Sequence, residues 1–127
     1  MTGRSPVRLD EPSAKEKSIM WGICQDVAVC DGRLCDRVIE YREGENGHAV
    51  VIEPVSGIEI AMQNILPLAS PPRFLYGDTA APRSHPEKQG IIRDIVWHYQ
   101  KGACLYFLQI DSRNISKRYP EEELSEV

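Results

Sequence analysis

The sequence holds no apolar run near the roughly 18 residues that a membrane-spanning helix needs. Its opening stretch, MTGRSPVRLDEPSAKEK, also lacks the apolar segment of a secretory signal. The expected compartment is therefore the cytoplasm, where the four cysteines would stay reduced. Paired metal-ligand spacing is missing as well. Cys24, Cys30 and Cys35 are separated by five and four residues, and Cys104 stands alone. Structural zinc sites draw their ligands in closely spaced pairs, so these cysteines read as small packing groups and no metal is expected. A Cys104–His98 nucleophile pair has neither a third orienting group nor an oxyanion site beside it. There is no Gly-rich phosphate loop, no G-x-S-x-G, no H-E-x-x-H and no calcium loop. The expectation is a chain that is not an enzyme and takes no cofactor. A basic surplus is absent too: 15 Lys plus Arg stand against 19 Asp plus Glu, for a net charge of −4. That weighs against a general nucleic-acid binder. Finally, no segment sustains an apolar period of 3.6 residues with caps, so almost no α-helix is expected.

The charge that is present is polarised. Residues 1–72 carry 7 basic and 11 acidic side chains, whereas residues 73–119 carry 8 basic and 4 acidic ones. Such a split can orient a charged partner. Residues 1–17 are polar, with two prolines and seven charged groups, and read as a flexible arm. The stretch 69–73 lies within PLASPPR, whose prolines cannot donate to a sheet ladder. It reads as a linker between residues 18–68 and 74–127.

The two halves look alike. Sliding residues 32–66 along by 58 brings Gly32 onto Gly90, Asp36 onto Asp94, Tyr41 onto Tyr99, Gly44 onto Gly102, Ile52 onto Ile110 and Leu66 onto Leu124. The matches fall at expected turns and strand ends, which makes two copies of one module the expectation. Strands are expected at 21–30, 33–42, 48–54 and 58–62, then at 74–81, 90–99, 104–111 and 115–119. Single helical turns are expected at 63–66 and 120–124, where Pro120 suits a first-turn position.

Within the hairpin IIRDIVWHYQKGACLYFLQID, residues 91–111, side-chain alternation puts Ile95, Trp97 and Tyr99 on one face. Trp97 and Tyr99 are expected mainly in the core, leaving His98 and Tyr106 to face outward. A unit of about 55 residues with four or five strands and a closing turn resembles an SH3-like barrel, a group that includes Tudor-type and KOW-type modules. The second half, YGDTAAPRSHPEKQGIIRDIVWHY followed by YFLQIDSRNISKRYPEEEL, is similar to small bacterial SH3-like proteins. The resemblance implies an all-β chain of two tandem SH3-like barrels, each ending in a short single-turn helix. It also implies a binding module, although fold alone does not settle function.

Two sets of residues are candidates for that binding. For a protein partner they are Asp36, Glu40, Glu43, Glu45 and Glu59 in the acidic half, with His98 and Tyr106 from the hairpin. The loop SHPEK adds His85, Glu87 and Lys88, although a plain solvated turn built on Pro82 and Pro86 explains that loop as well. For nucleic acid they are Arg83, Arg93, Arg113, Lys117 and Arg118, with Tyr119 as a stacking surface. The expected function is that of an immunity or antitoxin-like protein that covers a basic toxin, with acids giving fast association. A tandem Tudor-like or KOW-like module on RNA or DNA is the alternative, and a scaffold or regulatory subunit is a third. No membrane partner is expected.

Overall fold

Val38, Ile39 and Tyr41 on one strand, and Ala49 and Val51 on the next, supply the apolar positions around which the first sheet forms. The computed structural model describes residues 19–28 and 33–127. The arm at 1–17, Cys30 and Gly32 lie outside them. The chain is all-β and forms two sheets. The first is built from β1 (Met20–Cys24), β2 (Val38–Glu43), β3 (His48–Glu53), β4 (Glu59–Ala61) and β5 (Ile65–Pro67), in the order β4-β3-β2-β1-β5. The second is built from β6 (Thr79–Pro82), β7 (Gly90–His98), β8 (Ala103–Ile110), β9 (Arg113–Asn114), β10 (Tyr119–Pro120) and β11 (Leu124–Glu126). Its order is β10-β8-β7-β6-β11, with β9 paired to β8. All the pairings are antiparallel. One 3₁₀ turn, Met62–Asn64, precedes β5, and another, Glu121–Glu123, precedes β11.

Local chemistry explains the elements. In β3 the sequence HAVVIE buries alternate residues, Ala49 and Val51. The β2–β3 turn is made by Asn46 (φ 57°) and Gly47 (φ 74°), a pairing favoured where both central residues need positive φ. Sequence matching placed this turn at Gly44. Gly44 instead ends the hairpin ladder, its N–H donating to the His48 carbonyl at 2.8 Å, so the gapless register of the two halves breaks here. Gly22 in β1 has a different reason. A Cβ there would meet Ile65 Cγ2 at 2.6 Å and the Leu66 carbonyl oxygen at 2.9 Å, so only glycine lets β5 close against β1.

Residues 33–37 are not strand, and β2 starts at Val38. Residues 74–78 and 115–118 are also irregular. Strands β5 and β11 were not among the expected strands, and the turns expected at 63–66 and 120–124 overlap them only at Ile65, Leu66 and Leu124. Each strand is three residues long, too short to show a period, and gains its identity from pairing with β1 or β6.

A bulge between Ile92 and Asp94 shifts the register of β7 against β8. It lets Ile92 and Ile95 both point into the core although they are three apart. The same register reverses two expectations. Tyr106 lies opposite Ile95 and is fully buried, so it does not look outward. Tyr99 follows the last residue of β7 and is 48% exposed, so it is not core. Trp97 and His98 are half-buried.

Two cores result. One holds Cys24, Leu34, Ile39, Tyr41, Ala49, Val51, Ile60 and Ile65, all from the first sheet and its loops. The other unites Phe74, Ala80, Ile92, Ile95, Tyr106, Leu108, Tyr119 and Leu124 with Ile23 and Val38, which come from β1 and β2. Because strand side chains alternate, β1 and β2 feed Cys24 and Ile39 to one core and Ile23 and Val38 to the other. The first sheet is thus buried on both faces at this point. Phe74 meets Tyr106 edge to face at 5.3 Å between centroids, a favoured aromatic geometry. The Pro-rich stretch leading to it lies on the protein, with Pro72 buried and the Leu68 N–H donating to the Trp21 carbonyl. Among the described residues, no helix is long and apolar enough to cross a membrane.

Candidate functional site

The acidic candidates sit mostly on β2, β3 and β4. Glu40 lies directly opposite Glu53 across β2 and β3, and opposite Trp21 across β1 and β2. Opposed residues in an antiparallel pair project to one face, so Trp21, Glu40 and Glu53 form a row. By alternation this is the face of Ile23 and Val38, which the second core covers. Glu40 is therefore half-buried at the margin of that contact. Burial raises its carboxyl above the usual range, and the charge of Glu53 raises it further. Glu43, Glu45 and Glu59 are exposed on the end of β2, in the β2–β3 turn and on β4, and Glu43, opposite the buried Ala49, projects to the other face of the sheet from Glu40.

Asp36 is set apart from this group. Its carboxylate accepts a hydrogen bond from the Tyr99 hydroxyl at 2.8 Å, and its carbonyl accepts from the Trp97 N–H at 2.9 Å. It belongs to a seam between the sheets. There Arg37 bridges to Val96 in the antiparallel sense, the Arg37 Nε–H donates to Asp94 Oδ2 at 2.8 Å, and the Tyr76 hydroxyl donates to the Val38 carbonyl. Burial, aided by the charge of Asp94, pushes the Tyr76 phenol far above its ordinary range. Asp36 and Asp94 were matched as repeat partners, and both serve this seam.

Beside the seam lies a cleft of about 310 Å³ lined by Arg33, Leu34, Arg37, Pro54, Val55, Arg93 and Asp94. The bulge in β7 brings Arg93 to it. The Arg93 guanidinium lies over the Phe107 ring at 5.5 Å, and its Nε is buried with no hydrogen-bond partner. A buried donor left unpaired costs about 1–3 kcal/mol. Arg33 and Arg37, together with Pro54 and Val55, were not picked out by the sequence. The signal for them is tertiary, since residues 33–37, 54–55 and 93–94 meet only when the sheets join.

The remaining candidates do not gather. His85, Glu87 and Lys88 are exposed on the loop between β6 and β7, along with Arg83. Arg113 lies on β9, and Lys117 and Arg118 precede β10. The basic set is thus spread over several elements, with Arg93 drawn off to the cleft. Tyr119 is only 8% exposed, and Lys117 sits 5.0 Å from its ring centre. It cannot serve as an open stacking platform, and Tyr106, fully buried, cannot be a surface contact.

Cys104 is half-buried, and burial pushes its thiol up to about 11, away from thiolate chemistry. Among the described residues, no group of three His, Cys, Asp or Glu side chains is placed to hold a metal ion.

A family model for a family of unknown function, DUF6960, matches residues 18–125. The chain belongs to this family. No curated protein and no solved structure matches it. The match of the DUF6960 family spans both sheets and the Pro-rich segment between them, so the two halves occur within one family unit.

Proposed function

We propose that this DUF6960 chain is a non-catalytic protein that binds another macromolecule, an immunity or antitoxin-like protein that covers a basic partner with the acidic side of its first sheet. The Glu40–Glu53 pair carries the reading. Like charges placed directly opposite each other destabilise a sheet, and Glu40 is partly desolvated as well. A cationic side chain from a partner relieves both costs. Glu59, exposed on β4, adds acidic charge to that face, with Glu45 in the β2–β3 turn and Glu43 at the end of β2 adding to the charge of the sheet as a whole, and long-range attraction from such charges speeds encounter. Trp21, half-buried in the same row, offers an apolar body beside the charges, as interface centres often do.

The fold reading that goes with this is a tandem pair of SH3-like barrels. Its support is that both sheets follow one connectivity, β4-β3-β2-β1-β5 and β10-β8-β7-β6-β11, each with a 3₁₀ turn before the last strand. The boundaries of the two lobes are residues 18–68 and 74–127. His85, Glu87, Lys88 and His98 serve as secondary contacts.

Binding of RNA or DNA through Arg83, Arg113, Lys117 and Arg118 is the competing reading, and one experiment separates the two. A partner is captured by cross-linking in the cell of origin, purified and rebound to wild type and to the Glu40→Lys plus Glu53→Lys variant. The proposal expects the reversal to abolish or strongly weaken binding. Binding left unchanged by the reversal sinks it. So does a saturable electrophoretic shift of RNA or DNA that Lys117→Ala plus Arg118→Ala removes.

A further inference from the structure

We propose that the cleft between the sheets is a binding site for a small organic anion, a carboxylate or phosphate group carried on a short apolar stem. Among the described residues, the guanidinium groups of Arg33, Arg37 and Arg93 and the carboxylate of Asp94 line it. Asp94 already accepts from Arg37 Nε at 2.8 Å, which fixes that side chain and offsets one positive charge. The Arg93 guanidinium has no ion-pair partner among the described residues, so the cleft keeps its positive charge after that pairing.

Arg93 is the group that makes the site specific. Its guanidinium lies over Phe107, which limits its rotation, and its Nε has no acceptor among the described residues. A planar fork held in place recognises carboxylate and phosphate oxygens two at a time. An acceptor brought by a ligand draws this guanidinium into the hydrogen bonding that the protein does not provide.

The rest of the lining sets the ligand's shape. Leu34, Pro54 and Val55 form an apolar wall opposite the charges, and Val55 is 44% exposed at the rim. The volume of about 310 Å³ suits a small molecule or one ring with its head group. Among the described residues, no Ser, Cys, His or Lys lines the cleft. This inference does not rest on the acidic face, and either can fail without the other.

The test uses the full chain labelled with ¹⁵N, titrated separately with benzoate, phenyl phosphate and chloride at constant ionic strength. Benzoate or phenyl phosphate should bind saturably, with a Kd on the order of 1 mM or tighter. Shifts should concentrate at the Arg93 side-chain Nε–H and at the amides of Leu34, Val55 and Asp94, while chloride should leave them unmoved. The stronger of the two probes identifies the head group. Arg93→Lys keeps the charge but loses the fork, and should weaken binding about tenfold. Val55→Asp at the exposed rim should weaken it as well, without disturbing the core. Arg113→Lys, on β9, should leave it unchanged. Shifts spread over surface Arg and Lys residues, non-saturating titrations with both probes, or equal affinity in wild type and Val55→Asp would each overturn the assignment.

Discussion

Glu40 faces Glu53 across β2 and β3, on the side of the first sheet that also carries Ile23 and Val38. Its folded-state pKa is raised, by burial first and by Glu53 second. A raised carboxyl pKa favours the protonated form in the folded state. Its favourable effect is therefore present at pH below the unfolded carboxyl value and lost as pH rises through the folded value. At neutral pH the charged Glu40 weakens the fold. Glu40→Gln should raise stability by roughly 0.2–1 kcal/mol at pH 7, and the gain should fade as pH drops through the carboxylate range. Urea unfolding at several pH values checks this, and a loss of stability at pH 7 would contradict it.

At the same scale, Cys104 with a thiol near 11 should be only about a thousandth thiolate at pH 8. Native protein should therefore label at Cys104 far more slowly with a thiol reagent than urea-unfolded protein does, as mass spectrometry of the labelled peptides would show. Glu40 was legible in the sequence as an acid of the first half. Its opposition to Glu53 was not, because cross-strand register depends on the turn and on a bulge beside Glu40.

The elements were read well where they are long and poorly where they are short. Strand β7 spans Gly90–His98 and β8 spans Ala103–Ile110, within a residue of the ranges expected from their apolar runs. Strands β5 and β11 have three residues each and exist through their partners. The hairpin turn was misplaced because Gly44 was weighed by its match to Gly102. Asn46 and Gly47, which carry the positive φ, form the actual turn. Gly47→Ala should cost about 1 kcal/mol, since φ near 74° penalises any Cβ. Gly22→Ala should cost more, about 1–3 kcal/mol, because the added Cβ meets backbone of β5 that cannot swing aside. Thermal unfolding of both variants tests the order. A Gly22→Ala protein as stable as wild type would mean that β5 does not close so tightly on β1.

At the scale of the whole molecule, the all-β character was visible in the sequence, as strand-length apolar runs. The join was not visible. Ile23 and Val38 were read as residues of a first lobe, yet they complete the core built mainly by the second sheet. Ile23→Ala should therefore cost about 2–5 kcal/mol and destabilise both sheets together. Trp21 and Trp97 lie on strands of different sheets, β1 and β7, and both pack against this shared core. Trp21→Phe and Trp97→Phe, each leaving one fluorophore, should give unfolding curves that both shift when Ile23→Ala is added. A shift seen by Trp21 alone would mean that the sheets unfold independently. The account's central claim is that the acidic side of the first sheet captures a basic macromolecule, and the association rate with the captured partner, measured against salt for wild type and for Glu40→Lys plus Glu53→Lys, tests it most directly. The account predicts a wild-type rate that falls steeply with salt, and a reversal that slows association about tenfold or more at low salt. An association rate indifferent to both salt and the reversal would contradict it.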